Sequence, residues 1–150
     1  MKTIIEDTRQ KRDKHALKNE FWASHEVNVI RSGLPFGDYW RAPTVAVDTK
    51  QDIAEMAMNL CGSAAETKRV REEVKKAKDA GTKLIFLIED SRYSDISDLY
   101  GEKIWLHNGR VIPGDQLATA MHINEQRYGC EFWFCSPEDA GRVVEDILNE

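Results

Sequence analysis

A chain of 150 residues, 41% hydrophobic and 31% charged, can bury the core of one domain without disulfides and is too rich in apolar residues to be disordered. No apolar run reaches the length of a membrane span. The net charge of −5 excludes a general polyanion binder, whose affinity comes from phosphate neutralisation, so any nucleic-acid contact must come from local basic patches.

The amino-terminal Met1-Lys2-Thr3-Ile4-Ile5-Glu6-Asp7 turns acidic after two apolar residues. It has neither the apolar core of a secretion signal nor the arginines of a transit sequence, so a cytoplasmic protein is expected. Positions 2–6 form a β-branched stretch that predicts a strand. The segment from about 13 to 24 then predicts a helix with Leu17, Phe21 and His25 at helical spacing. Residues 27–32 alternate and predict a strand whose buried face the pattern leaves open, and Gly33 to Asp38 is a turn by composition.

Val45-Ala46-Val47 is a continuous apolar run of the kind covered on both faces, and it predicts a central strand ending at Asp48. Ile53, Met56, Ala57 and Leu60 fall at i, i+3, i+4 and i+7, with Gly62 at the helix end as a residue tolerant of positive φ. A second helix follows, with Val70, Val74 and Ala77 inward and charges outward. The run Leu84-Ile85-Phe86-Leu87-Ile88 predicts another buried strand.

Positions 90–109, with Trp105 among them, have no clear period. Positions 115–128 predict a helix through Leu117, Met121 and Tyr128, and 130–135 predict a strand. The last helix has the plainest signature: Ser136 as N-cap, Pro137 at the first helical position, then Ala140, Val143, Val144, Ile147 and Leu148 on one face. This order of elements predicts a single α/β domain over 1–150, a mixed sheet with helices on both sides. Cys61, Cys130 and Cys135 match no zinc spacing and read as free buried thiols.

Chemistry concentrates around Asp38, which closes a turn, and Asp48-Thr49-Lys50, which ends a strand. Residues i and i+2 of a strand share a face, so Asp48 and Lys50 project together while Thr49 points to the opposite, packed side. A hairpin would bring Asp38 alongside. Two carboxylates that close favour a cation between them, and hard oxygen ligands with an open position suit Mg²⁺ or Mn²⁺. A surface turn followed by an ordinary Asp-Lys pair is the competing reading of so short a pattern.

Three blocks together are more specific than any one of them. Ile4-Ile5-Glu6-Asp7-Thr8-Arg9-Gln10 resembles the I-I-x-D-T-R-E opening of the XPF-like nuclease domain family, a branch of the PD-(D/E)xK restriction-endonuclease-like superfamily. Leu34-Pro35-Phe36-Gly37-Asp38-Tyr39 resembles its L-P-x-G-D-Y, and Val47-Asp48-Thr49-Lys50 its V-(E/D)-R-K. The blocks stand in family order, and the downstream segments resemble the compact form found in bacteria and their phages.

The resemblance implies a restriction-endonuclease-like mixed central β-sheet flanked by helices and a Mg²⁺- or Mn²⁺-dependent DNA endonuclease selective for flap, fork or junction DNA. Asp7, Asp38 and Asp48 would surround the metal, Lys50 would be the catalytic lysine and Arg9 an auxiliary residue. Larger relatives add a helix-hairpin-helix module that this chain has no room for, which leaves a homodimer or a partner protein open. Gln10 stands where the family commonly has Glu, and Thr49 where it commonly has Arg. These departures support an alternative, a catalytically degenerate DNA-binding or scaffolding domain of the same fold.

DNA is the expected partner, with no role for a membrane. Lys11, Arg12, Lys14 and His15 form a basic cluster just after Asp7. A longer one, with Lys68, Arg69, Arg71, Lys75, Lys76 and Lys78, lies on the second of the paired helices. Either could hold phosphates. Both could equally be solvated faces, the longer one laced by Glu66, Glu72 and Glu73. The four histidines offer no metal-binding pair, and the four tryptophans are expected to pack rather than stack on bases.

Overall fold

A computed structural model describes residues 2–41 and 44–149, leaving aside the side chains of Arg12 and Asp13. Eight strands and five α-helices are present among them. In chain order they are β1 (Lys2–Asp7), α1 (Ala16–Ser24), β2 (Val27–Ser32), β3 (Tyr39–Arg41), β4 (Val45–Lys50), α2 (Ile53–Cys61), α3 (Ala64–Asp79) and β5 (Lys83–Ile88). After these come β6 (Lys103–Trp105), β7 (Val111–Pro113), α4 (Gly114–Tyr128), β8 (Glu131–Phe134) and α5 (Ala140–Leu148).

Six strands form one sheet in the order β2-β1-β3-β4-β5-β8, while β6 and β7 make a separate hairpin. Only β3 runs against its neighbours. The pairs β1–β2, β4–β5 and β5–β8 are parallel, and β3 is antiparallel to both β1 and β4. The mixed sheet expected from the sequence is therefore the sheet observed, and β4 is buried along its whole length as predicted.

Side-chain alternation sorts the core into two layers. Val45 and Val47 of β4 and Ile85 and Leu87 of β5 meet Trp22, Val144, Ile147 and Leu148 from α1 and α5. Ala46, Leu84, Phe86 and Ile88 face the other way, toward Ile53, Met56 and Ala57 of α2, Val70 and Val74 of α3, and Leu117 and Met121 of α4. Asp48 and Lys50 carry the parity of Ala46 and so open toward α2 and α3.

Several boundaries differ from expectation for identifiable reasons. The first helix begins as a 3₁₀ turn at Arg12–His15, and the buried face of α1 is Lys18 and Trp22, whereas Leu17 is exposed. Trp22 donates its indole N–H to Gly141 O of α5 at 2.9 Å, and Lys18 meets Glu89, so two polar partners select the inward face. Gly62 has φ −84°, not positive. Glycine is needed there because a Cβ would lie 2.2 Å from Met58 O.

The last helix starts at Ala140, after a turn in which Asp139 N–H donates to Ser136 Oγ at 3.3 Å. Residues without a readable period resolve into a 3₁₀ turn at Ile96–Leu99 and the β6–β7 hairpin, whose strands of three residues are too short to show a pattern. Of the tryptophans, Trp22 is buried and Trp40 and Trp133 half-buried, but Trp105 on the hairpin is 67% exposed. All three cysteines are free, and burial pushes the thiols of Cys130 and Cys135 up to about 12.

Lys18 and Glu89 form an ion pair at 2.7 Å with both side chains almost fully enclosed. Glu89 lies just beyond β5, and its N–H donates to Lys50 O at 2.8 Å, so the pair fastens α1 to the end of the sheet beside Lys50. Removing one member of such a pair strands a buried charge, whereas replacing both with apolar groups does not. Lys18→Met is therefore expected to lower unfolding free energy by roughly 3–5 kcal/mol in urea titration, and Lys18→Met with Glu89→Leu to recover most of that loss. A single substitution as mild as the double one would contradict this account.

Candidate active site at the strand ends

Asp7 ends β1, Asp48 and Lys50 end β4, and Asp38 directly precedes β3. Because β3 is antiparallel to its neighbours, its beginning lies at the same edge of the sheet as the ends of β1 and β4. The backbone of Asp38 ties the three together: its N–H donates to Val47 O, and its carbonyl accepts from Asp7 N–H, each at 2.7 Å. Ligands of open α/β sheets commonly bind beyond the carboxyl ends of strands, and a cleft of about 580 Å³ opens at this edge.

The turn into Asp38 depends on Gly37. Its φ is +68°, and an added Cβ would approach Val47 O to 3.1 Å, so both the conformation and the space favour glycine. Gly37 N–H donates to Glu73 Oε2 at 2.9 Å, which brings a side chain of α3 into the cleft.

Within the cleft the carboxylates have different surroundings. One oxygen of Asp38 accepts two bonds from Thr49, from the backbone N–H at 2.8 Å and the hydroxyl at 3.0 Å. Burial and the charge of Asp48 still push the Asp38 carboxyl well above the usual range, against the Thr49 donors and Lys50. Glu73 is raised likewise, first by burial and then by Asp48, with which it shares a side-chain hydrogen bond. A bond between two carboxyl groups requires a proton on one of them.

Lys50 Nζ lies 3.3 Å from Asp48 Oδ1 and 5.8 Å from the centre of the Phe86 ring. Burial disfavours its charge, but Asp48, Glu73, Asp38 and Glu55 together outweigh that and raise its pKa. Asp7 lies in the same cleft with both carboxylate oxygens engaged. Oδ2 accepts from Arg9 Nε at 2.7 Å and Oδ1 from Leu34 N–H at 3.3 Å, while Arg9 Nη2 also donates to Leu34 O. Asp7 and Arg9 thus pin the turn before Asp38.

No protein-family model and no curated protein matches the chain. Solved structures do match. XPF from Aeropyrum pernix aligns with a TM-score of 0.67 at 20% identity, over 97% of this chain and 63% of that one. The same protein in complex with DNA aligns with a TM-score of 0.69 at 18% identity, over 99% of this chain and 64% of that one. This chain has the XPF-like nuclease fold. It spans less than two thirds of the length of those XPF chains.

On this XPF-like frame, the five residues singled out for chemistry, Asp7, Arg9, Asp38, Asp48 and Lys50, all line one cleft. Lys11 and Lys14 border it too, as do His15 and His107. Lys76 lines an adjoining groove with Arg69, whereas Lys75 lines neither; the side chain of Arg12 lies outside the described residues. Among the described residues no group of three His, Cys, Asp or Glu side chains is arranged to hold a metal ion. The donor chemistry still fits a hard divalent cation: Asp38 and Asp48 offer carboxylate oxygens beside a lysine, in a setting that makes their shared negative charge unfavourable.

Sequence reasoning missed Glu73. Its spacing on a helix dense in charge reads as one more member of a solvated face, and only its three-residue offset from Val70 and its position beside inward-facing Val74 hinted otherwise. Thr49 has the parity expected of it, but its hydroxyl is bonded to Asp38 instead of being spent on packing. Thr49→Val, which keeps shape and removes the hydroxyl donor, should destabilise the fold by about 1–3 kcal/mol because a half-buried carboxylate loses a donor, with Thr49→Ser close to the parent. Equal stability of the Val and parent proteins in urea unfolding would deny the hydroxyl that role.

Proposed function

We propose that the chain is a divalent-metal-dependent DNA endonuclease, one nuclease domain over residues 1–150, that hydrolyses phosphodiester bonds in branched or single-strand/double-strand junction DNA. The observation that carries this reading is the convergence of Asp38, Asp48 and Lys50 in one cleft beyond the strand ends of an XPF-like fold. Preference for junctions comes from the family that the three sequence blocks resemble.

Asp38 and Asp48 are the residues that would hold Mg²⁺ or Mn²⁺, with Asp7 as the third acid that the resemblance names. The bound ion would polarise the scissile phosphate and lower the pKa of a water. Lys50 keeps its proton while the carboxylates around it are charged, which suits a group that neutralises charge building on the phosphate better than one that removes a proton. Thr49 and the backbone bonds at Asp38 hold one carboxylate in place, and the Asp7–Arg9–Leu34 contacts hold the turn that presents it. Lys11 and Lys14 at the cleft border supply local positive charge to position the phosphate backbone, which the overall charge of −5 does not.

Incubation with labelled flap, fork, junction and linear DNAs tests the proposal. Cleavage of at least one branched substrate is expected with Mg²⁺ or Mn²⁺ and none with EDTA. Asp48→Asn should abolish cleavage, and Lys50→Ala should slow it by a factor on the order of 10² or more while leaving the fold intact. Binding of branched DNA with no cleavage in either metal would favour the non-catalytic DNA-binding domain, and full activity of Asp48→Asn would refute the site.

A further inference from the structure

We propose that Glu73 of α3, in place of Asp7, is the third acidic residue of the metal centre. This rests on the metal-dependent reading above and names a ligand that the sequence blocks do not contain. Three observations converge on it.

The first concerns Asp7. Both of its carboxylate oxygens are engaged, one by a guanidinium and one by a backbone N–H, and the same guanidinium closes onto Leu34 O. A carboxylate with two donors on it and a positive charge beside it has little left to offer a cation, and the contacts it makes explain its position in full. Its task is to fix the Gly33 to Asp38 turn against β1.

The second is the placement of Glu73. The parity of β4 turns Asp48 and Lys50 toward the helical layer that includes α3. On α3, Val70, Val74 and Ala77 bury the helix against that layer, and Glu73 lies one position before Val74 on the side that borders the cleft. Gly37 N–H, one residue before Asp38, donates to one of its oxygens at 2.9 Å. Glu73 is therefore fixed by the same turn that delivers Asp38.

The third is its contact with Asp48. The two carboxyl groups reach each other from separate elements and hydrogen-bond directly. Like-charged groups seldom approach this closely unless something positive lies between them, and an arrangement that brings two carboxyl groups together is one that a hard cation can bridge. Lys50, against the other side of Asp48, completes a surround of two carboxylates and one ammonium.

The alternative role for Glu73 is purely structural, as an acceptor for Gly37 N–H. Glu73→Gln separates the two roles, because the amide oxygen can still accept that bond while the negative charge is gone. The experiment is isothermal titration of the purified full chain with MnCl₂ in the absence of DNA, with the melting temperature of each variant measured alongside. Glu73→Gln is expected to melt no lower than the parent and to bind Mn²⁺ more weakly by about tenfold or more, the scale on which loss of a metal-site partner is felt. Asp7→Asn is expected to keep Mn²⁺ affinity and to melt lower. Glu73→Asp, which keeps the charge on a shorter arm, should recover part of the affinity.

Unchanged Mn²⁺ affinity in Glu73→Gln overturns the inference and leaves the metal-dependent reading standing. A loss in Asp7→Asn as large as that in Glu73→Gln shows that Asp7 belongs to the set and overturns the exchange of one for the other. A parent protein that takes up no Mn²⁺ overturns the metal-dependent reading itself, and the inference with it.

Discussion

The site depends on one residue whose backbone joins two strands and whose side chain lies between them. Asp38 donates to Val47 O and accepts from Asp7 N–H, so its carboxylate is placed by the sheet and not by a free loop. Reversal of β3 makes this possible, since an all-parallel sheet would put the start of that strand at the far edge from the ends of β1 and β4. Gly37 is required by the same constraint, because the chain must pass within 3.1 Å of Val47 O at positive φ to enter the bridge. Everything chemical in the cleft is arranged around that fixed point: Thr49 holds the Asp38 carboxylate, Asp7 and Arg9 hold the turn before it, and Glu73 is bonded to the residue next to it.

Close approach of acidic groups is costly, and the surrounding structure shows where the cost is met. Lys50 lies against Asp48, and Lys18 against Glu89 on the opposite layer. These two lysines flank the same sheet edge, linked through the hydrogen bond from Glu89 N–H to Lys50 O. The pair at Lys18 and Glu89 lies apart from the cleft and stiffens the strand ends that carry the site. A rigid edge of this kind suits a reaction in which charge has to be met by groups already in place.

Much of this was legible in the sequence. Val45-Ala46-Val47 and Leu84-Ile85-Phe86-Leu87-Ile88 announce central strands because both faces of each are covered, and the apolar spacing of α2, α3 and α4 follows the helical period. Asp7, Arg9, Asp38, Asp48 and Lys50 gather in one cleft because the blocks that contain them end or begin strands at a common edge. What escaped was set by partners distant in the chain. Leu17 reads as the inward residue of α1, yet Lys18 takes that place because Glu89, 71 positions away, supplies the opposite charge. Glu73 looks like surface charge because Gly37 and Asp48 are 36 and 25 positions from it, and no local pattern encodes such contacts. The β6–β7 hairpin went unread because strands of three residues are shorter than any period that could identify them.

The central claim is that the acidic groups gathered around Asp38 exist to hold a divalent cation beside Lys50. Crystals of the full chain equilibrated with MnCl₂, measured at a wavelength where manganese scatters anomalously, test it directly. The account predicts a single strong anomalous peak in the cleft, within coordinating distance of carboxylate oxygens of Asp38 and Asp48 and clear of the Lys50 ammonium. A fully occupied cleft of ordered water with no such peak, or a peak bound elsewhere on the surface alone, would contradict it.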